Sequence, residues 1–303
     1  MKKLSNIIKG LLTFVLSGII ATTSIQIPVL ADEQIDEIEM VGANPDQSKI
    51  NNPRSSNGVV TWDCVYFGNY WQNDTNGDGT ADTNDSKEPI KWRVLSVDGK
   101  DAFLIADQNL DCQRYNTPFT NVTWKTCTLR SWLNGYGSSE NESGTDYSSS
   151  GANFIDNAFS SSEKSAIYQS NLINANNPEF GTEGGDKTPD MIFLLSYYDA
   201  INNDYGFSTD YIKYDDARFA KNTEYAKAAG ARTESGGSYD GNGDWWLRSP
   251  GVGSDFAMIV VDRGDVNRYG YDVYESSGVR PALHLNLSSS DWSYAGLMLY
   301  HNC

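Results

Sequence analysis

The chain has 303 residues, with 23 Lys and Arg against 40 Asp and Glu, a formal net charge of −17, and 12% aromatic residues. So acidic a molecule repels nucleic-acid phosphates and anionic lipid headgroups, which excludes nucleic acid as a partner and leaves neutral, cationic or cation-bridged ones. Two histidines and four cysteines, none of them clustered, exclude a His/Cys zinc centre.

Lys2, Lys3 and Lys9 precede and interrupt an apolar run from Ile7 to Ala21, and Val29-Leu30-Ala31 offers small or aliphatic residues for cleavage. This layout predicts a signal peptide over 1–31. The run is shorter and more broken than the about 20 apolar residues of a membrane span. The expected location is therefore extracellular, secreted or loosely wall-associated, with no stable membrane anchor. Without that segment 20 basic residues face 40 acidic ones. Residues 32–57 are acidic, then rich in Asn, Ser and Pro, and read as a linker. A single domain is expected over 58–290, with 291–303 as a tail.

Val59 to Phe67 is β-branched and aromatic, and Ile90–Val97 and Ala102–Ala106 flank Asp98-Gly99, a hairpin turn pair. In the middle, Leu129–Leu133 predicts a short helix stopped by Gly135. Ser160 with Glu163, and Ser196 with Asp199, have capping-box spacing on either side of a buried strand at Met191–Leu195. Asp215 or Asp216 is placed to cap a helix running to Ala229 and ended by Gly230. Strands return at Asp244–Arg248, Phe256–Val261, Val266–Tyr274 and Gly278–Leu287. In the last, Val279, Leu283, Leu285 and Leu287 alternate with Arg280, His284 and Asn286. Strands at both ends with helices between them predict an α+β domain. In an exported chain the cysteines permit disulfides. Spacing favours Cys112–Cys127 among three connectivities, with Cys64 and Cys303 near opposite ends.

Five segments carry a resemblance: Tyr66-Phe67-Gly68, Ile90–Leu95, Thr128–Asn134, Trp245–Gly251 and Gly278–Leu283. In order and over nearly all of the expected domain, they resemble a family of uncharacterised secreted domains of Gram-positive bacteria. The C-terminal half is more distantly similar to the C-type-lectin-like fold of formylglycine-generating enzymes and phage receptor-binding tips, where a Gly-x-Arg strand also closes the domain. The resemblance implies a C-type-lectin-like single domain. It does not carry over the enzyme's chemistry, because that needs a cysteine pair and no Cys lies between Gly135 and Asn302. The Glu-Pro-Asn and Trp-Asn-Asp motifs of sugar-binding C-type lectins are absent as well.

The strongest chemical motif runs from Asp74 to Asp85. Asp74, Asn76 and Asp78 occupy positions 1, 3 and 5 of a calcium loop, Gly79 position 6, the Thr80 carbonyl 7, Asp82 9 and Asp85 12. Ca²⁺ is the expected cofactor; the alternative is a turn-rich loop without metal. Asp240-x-Asn242-x-Asp244 repeats the first spacings but has Gly251 where a distal acid would fall, and reads as a glycine-rich turn. Trp246 and Arg248 share one face of a strand, and either form a sugar-stacking platform or are buried in the core. Arg263-Gly264-Asp265 occupies a turn, where Gly and Asp belong for backbone reasons. No residue stands out as catalytic. The sequence predicts a secreted, calcium-stabilised binding or adhesion module for a glycan or cell-wall polymer. The alternatives are a polysaccharide-acting enzyme with unidentified acids and a structural surface protein.

Overall fold

The computed structural model describes residues 50–301, so the expected signal peptide, most of the expected linker and Cys303 lie outside the described residues. In chain order come β1 (Arg54–Ser56), β2 (Val59–Tyr70), β3 (Glu88–Asp98), β4 (Asp101–Ala106) and β5 (Asp111–Arg114). The helical middle holds α1 (Thr128–Asn134), α2 (Phe154–Ala158), α3 (Ser161–Ala166), β6 (Ile167–Tyr168), β7 (Ser170–Leu172), β8 (Thr188–Asp190), β9 (Ile192–Phe193), α4 (Tyr197–Ala200) and α5 (Glu224–Ala228). The chain closes with β10 (Trp245–Pro250), β11 (Phe256–Val260), β12 (Val266–Asp272), β13 (Ser276–Val279), β14 (Ala282–Asn286) and β15 (Ser293–His301). The fold is α+β: mostly antiparallel sheets with five short helices. Among the described residues no helix is long and apolar enough to cross a membrane.

The larger sheet has eight strands in the order β1-β2-β3-β4-β14-β6, with β15 also on β2 and β9 also on β14. Its middle is the β3–β4 hairpin, paired from Trp92 opposite Ala106 to Asp98 opposite Asp101 with a register shift between Val94 and Ser96. Gly99 in the turn has φ +60, a left-handed value that glycine adopts without steric cost. The smaller sheet runs β12-β11-β10-β13-β5, with β10 and β13 parallel. The last residues are not a tail. They form β15, which pairs along β2 from Ser293 opposite Tyr66 to His301 opposite Val59.

The expected strand Gly278–Leu287 is two strands in two sheets. β13 ends at Val279 in the smaller sheet and β14 begins at Ala282 in the larger. Between them Pro281 has no N–H to give a ladder. Arg280 is fully buried and donates to the carbonyls of Ala106, Arg218 and Asp107 at 2.8, 3.1 and 3.2 Å. Burial and the Arg93 guanidinium push its pKa down to about 9. The side chain thus holds the crossing to the end of β4, and its guanidinium lies 5.0 Å from the centre of the Trp245 ring on β10 of the smaller sheet. Within β14 the expected alternation holds: Leu283 and Leu285 are buried while His284 and Asn286 are half-buried.

The helix expected from Asp215 to Ala229 is also broken. Asp215 caps only a 3₁₀ turn at Asp216–Arg218. Lys221 then bridges to Asn242, and Thr223 caps α5 anew by accepting from Ala226 N at 3.0 Å. Phe219 turns to extended backbone with ψ 141, and Lys221 and Asn222 pair with Asn109, Gly241 and Asn242 instead of continuing the turn. The buried Arg218 guanidinium donates to the carbonyls of Gly264, Ala200, Ser208, Asp210 and Lys213. The capping boxes at Ser160–Glu163 and Ser196–Asp199 are both present. Cys112–Cys127 is not a bridge: Cys64, Cys112 and Cys127 are free and buried. Cys127 instead caps α1, its Sγ accepting from Arg130 N, while Cys112 packs beside Ala226 and Ala231.

Candidate functional site

Aromatic content goes largely to the core. Trp62, Trp92, Trp124, Trp245 and Trp246 have essentially no exposed surface. Each indole N–H is satisfied, by Tyr205 O, Phe67 O, Asp190 Oδ2, Arg218 O and Gln113 O respectively. A buried indole that keeps its hydrogen bond is a structural anchor. Trp246 is 0% exposed, with Tyr115 and Tyr271 rings at 5.6 and 6.4 Å. Arg248 is 7% exposed and donates to Leu194 O at 2.7 Å and Asp199 Oδ2 at 2.9 Å. The platform reading of these two residues is therefore corrected: β10 is buried on both faces, and no ring is presented to a ligand.

The surface feature with binding geometry lies elsewhere, where three loops meet. An open recess of about 350 Å³ is lined by Asn121, Thr123 and Thr126 on one side and by Thr182, Glu183 and Ser254 on another, with Glu142 also at its wall. Backbone contacts fix these loops. Val122 N donates to Ser254 O at 2.9 Å, and Thr182 Oγ1 to Val252 O at 3.0 Å. Asn177, 2% exposed, is the hub. Its amide nitrogen donates to the carbonyls of Pro250, Gly251 and Arg268, and its oxygen accepts from Glu179 N and Phe180 N. Gly251 must be glycine here, since a Cβ would stand 2.3 Å from Tyr269 O. At the rim Lys125 bonds Asp186 at 2.7 Å and holds its carboxyl below the usual range.

Beside the recess, Phe180 and Tyr269 meet with ring centroids 4.8 Å apart. Tyr269 is 59% exposed. The Tyr269 backbone carbonyl accepts from Val252 N, two residues before Ser254 of the recess wall. Hydroxyls, an amide and two carboxylates around an open recess can hydrogen-bond a polyol, and an exposed ring offers an apolar face to stack on. Sequence reading missed these residues because none belongs to a motif: they are loop Thr, Ser, Asn and Glu brought together only by tertiary packing.

Asp74–Asp85 forms the compact loop its spacing predicts. Asp74 Oδ1 accepts from Gly77 N and Asp78 N at 2.7 and 3.2 Å, and Oδ2 from Gly79 N at 2.7 Å. Asn76 Oδ1 accepts from Asp78 N, Asp78 Oδ1 from Thr80 N, and Asp82 Oδ1 from Asn84 N. Asp85, at the base, accepts from Thr75 N, Asn76 N and Asp82 N, and the Asp82 N–H leads the effects that lower its pKa. Among the described residues no group of three or more His, Cys, Asp or Glu side chains converges at metal-binding distance. The loop is docked on α5, with Asp74 N donating to Glu224 Oε2 and Tyr225 N to Gln72 O.

The remaining motifs have structural roles. Asp240, Asn242 and Asp244 do not converge: they bond Gly236 N, Asp262 O and Asp262 N respectively. Arg263 is closed onto Asp265 at 2.7 Å and lies over the Tyr214 ring, so the Arg-Gly-Asp turn does not hold its charged ends apart. His284 bonds Asp101 Oδ1 at 2.8 Å and stacks on Phe103 at 4.8 Å.

A family model described as "Domain of unknown function (DUF6273)" matches residues 99–287. No curated protein matches the chain, and no solved structure does.

Proposed function

Because the chain belongs to the DUF6273 family, whose description assigns no activity, we propose a function from the site's own geometry: a secreted, calcium-stabilised module that binds a glycan or cell-wall polymer. The observation that carries this reading is the open recess of hydroxyl, amide and carboxylate groups beside the exposed Tyr269 ring. Shallow polar sites with one apolar face suit a ligand that is hydroxylated at its edges and apolar on its ring faces. The second reading, hydrolysis of a polysaccharide, would rest on the two recess carboxylates, Glu142 and Glu183.

Secretion is supported by the three-part leader read from 1–31, and calcium by the oxygen set of Asp74, Asn76, Asp78, Thr80, Asp82 and Asp85, the donors a hard divalent cation takes. A metal there would use carboxylate lone pairs left free by the N–H groups of the loop and would fix the start of β3. A C-type-lectin-like arrangement is part of the same proposal. It is supported by two antiparallel-rich sheets with loops between them and by Gly278-Val279 at the end of β13, between β10 and β5, with the buried Arg280 just beyond.

The test is a glycan array probed with the chain from Asp32 onward, with and without calcium. Retention on neutral polysaccharide is the expected outcome. Release of reducing sugar that is lost in both Glu142→Gln and Glu183→Gln would replace binding by hydrolysis.

A further inference from the structure

α4 turns one tyrosine inward and the next outward: Tyr197 is buried and Tyr198 is 52% exposed, their rings 5.2 Å apart. Tyr197 meets the Tyr211 ring at 6.4 Å. The Arg268 guanidinium lies 3.5 Å over Tyr211 and pairs with Glu179 at 2.7 Å. Glu179 precedes Phe180, whose ring touches Tyr269. An unbroken series of contacts thus leads from the exposed Tyr198 to the exposed Tyr269 and on to the recess.

The series follows β12, the edge strand of the smaller sheet. Tyr211 O accepts from Val266 N at its start, and Tyr269 lies three residues further along. At about 3.3 Å per residue this separates the two anchor points by roughly 10 Å, and Tyr198 lies further off, reached from Arg268 through Tyr211 and Tyr197. One sugar ring cannot span that distance. The only basic group in the series, Arg268, is already paired with Glu179, Asp199 beside Tyr198 is paired with Arg248, and Glu183 lines the recess. A chain of uronic acids or sulfated sugars would find no unpaired cation along the series and a carboxylate at the recess.

We propose that the ligand is an extended, uncharged polysaccharide chain that lies along β12, with Tyr198 as a second aromatic contact in addition to the Phe180–Tyr269 pair. The proposal rests on the binding reading above and names its ligand class.

The test is calorimetric titration of the chain from Asp32 onward with ladders of neutral β-glucan, mannan and xylan oligosaccharides, and with polygalacturonate as the acidic arm. For the ladder that binds, the hexasaccharide should bind at least about tenfold more tightly than the disaccharide, worth roughly 1.4 kcal/mol. Tyr198→Ala should remove that gain, leaving the disaccharide affinity and the thermal midpoint unchanged, while Tyr269→Ala should weaken both. Equal binding of disaccharide and hexasaccharide, or a Tyr198→Ala variant that keeps the gain, overturns the extended site and leaves the recess reading standing. Tighter binding of polygalacturonate overturns the uncharged chain. If no ladder binds at all, both readings fall.

Discussion

At the scale of single residues, the molecule buries polar groups that other side chains then satisfy. Asp111 is fully buried on β5, accepting from Tyr70 OH at 2.6 Å, Cys112 N at 2.7 Å and Gln113 Nε2 at 3.0 Å. The groups facing it are Tyr70 from β2, Tyr225 from α5 and its own neighbours on β5, with Val279 opposite on β13; none carries positive charge. Burial therefore outweighs the hydrogen bonds and raises its pKa to about 6. The folded state then binds more protons than the unfolded one between about pH 4 and 6, so this contribution is full below pH 4 and is lost as pH rises through 6. From this group alone, stability should fall by on the order of 2–3 kcal/mol between pH 4 and pH 7.5. Asp111→Asn, which can still pair with the Tyr70 hydroxyl, should flatten that part of the curve and be the more stable form at pH 7.5. Denaturant melts across pH decide it; superimposable profiles for the two proteins would refute the assignment. The tryptophans give a second contrast. Trp246→Ala should cost about 3–5 kcal/mol by cavity formation, whereas Tyr269→Ala, on the surface, should leave the unfolding midpoint nearly unchanged. An equal loss in both would contradict the placement of the two rings.

Among the elements, hairpins and caps were legible because their signals are local. Asp98-Gly99 marks a turn by backbone chemistry, and the two capping boxes need only residues three apart. The broken elements were hidden because their causes are distant in sequence. The expected helix stops at Arg218 because residues 221 and 222 pair with Asn109, Gly241 and Asn242, far away in the chain. Arg280 and Pro281 divide a strand whose apolar alternation reads continuously, because the two halves belong to different sheets. The motif Thr128–Asn134 was legible as a helix but not as a clamp. Arg130 Nε bonds the buried Asp190 at 2.7 Å, and Asn134 holds Met191 N and Ile192 N. Removing one partner of such a buried pair costs about 3–5 kcal/mol, so Asp190→Ala should unfold well below the wild type in denaturant; a shift under about 1 kcal/mol would show that the pair is not needed. In the Asp74–Asp85 loop, the Asp and Asn side chains accept from backbone N–H groups within the loop. Under the calcium proposal, a tenfold excess over the dissociation constant adds about 1.4 kcal/mol, and the thermal midpoint should rise by a few degrees. Magnesium should do little, and Asp78→Ala should abolish the response. Identical melts in calcium and in chelator, with no heat of binding, would leave the loop as a turn only.

For the whole molecule, composition gave its acidic character directly, but the aromatic content misdirected the search for its site. Trp246, one of the two residues read as either a sugar platform or core, lies in the core with its indole N–H donating to Gln113 O. The residues around the recess are ordinary loop Thr, Asn, Ser and Glu with no sequence pattern of their own. What assembles them is Asn177, whose five backbone contacts reach from residue 179 to residue 268, and no periodicity in the sequence encodes such a hub. The measurement that bears most directly on the binding reading is the affinity of wild type and Tyr269→Ala, compared by titration at millimolar calcium against the neutral polysaccharide that an array selects. The account predicts saturable binding by the wild type and a loss of about tenfold or more in the variant, with equal unfolding midpoints. Equal affinities in the two proteins, or no saturable binding to any neutral glycan, would contradict it.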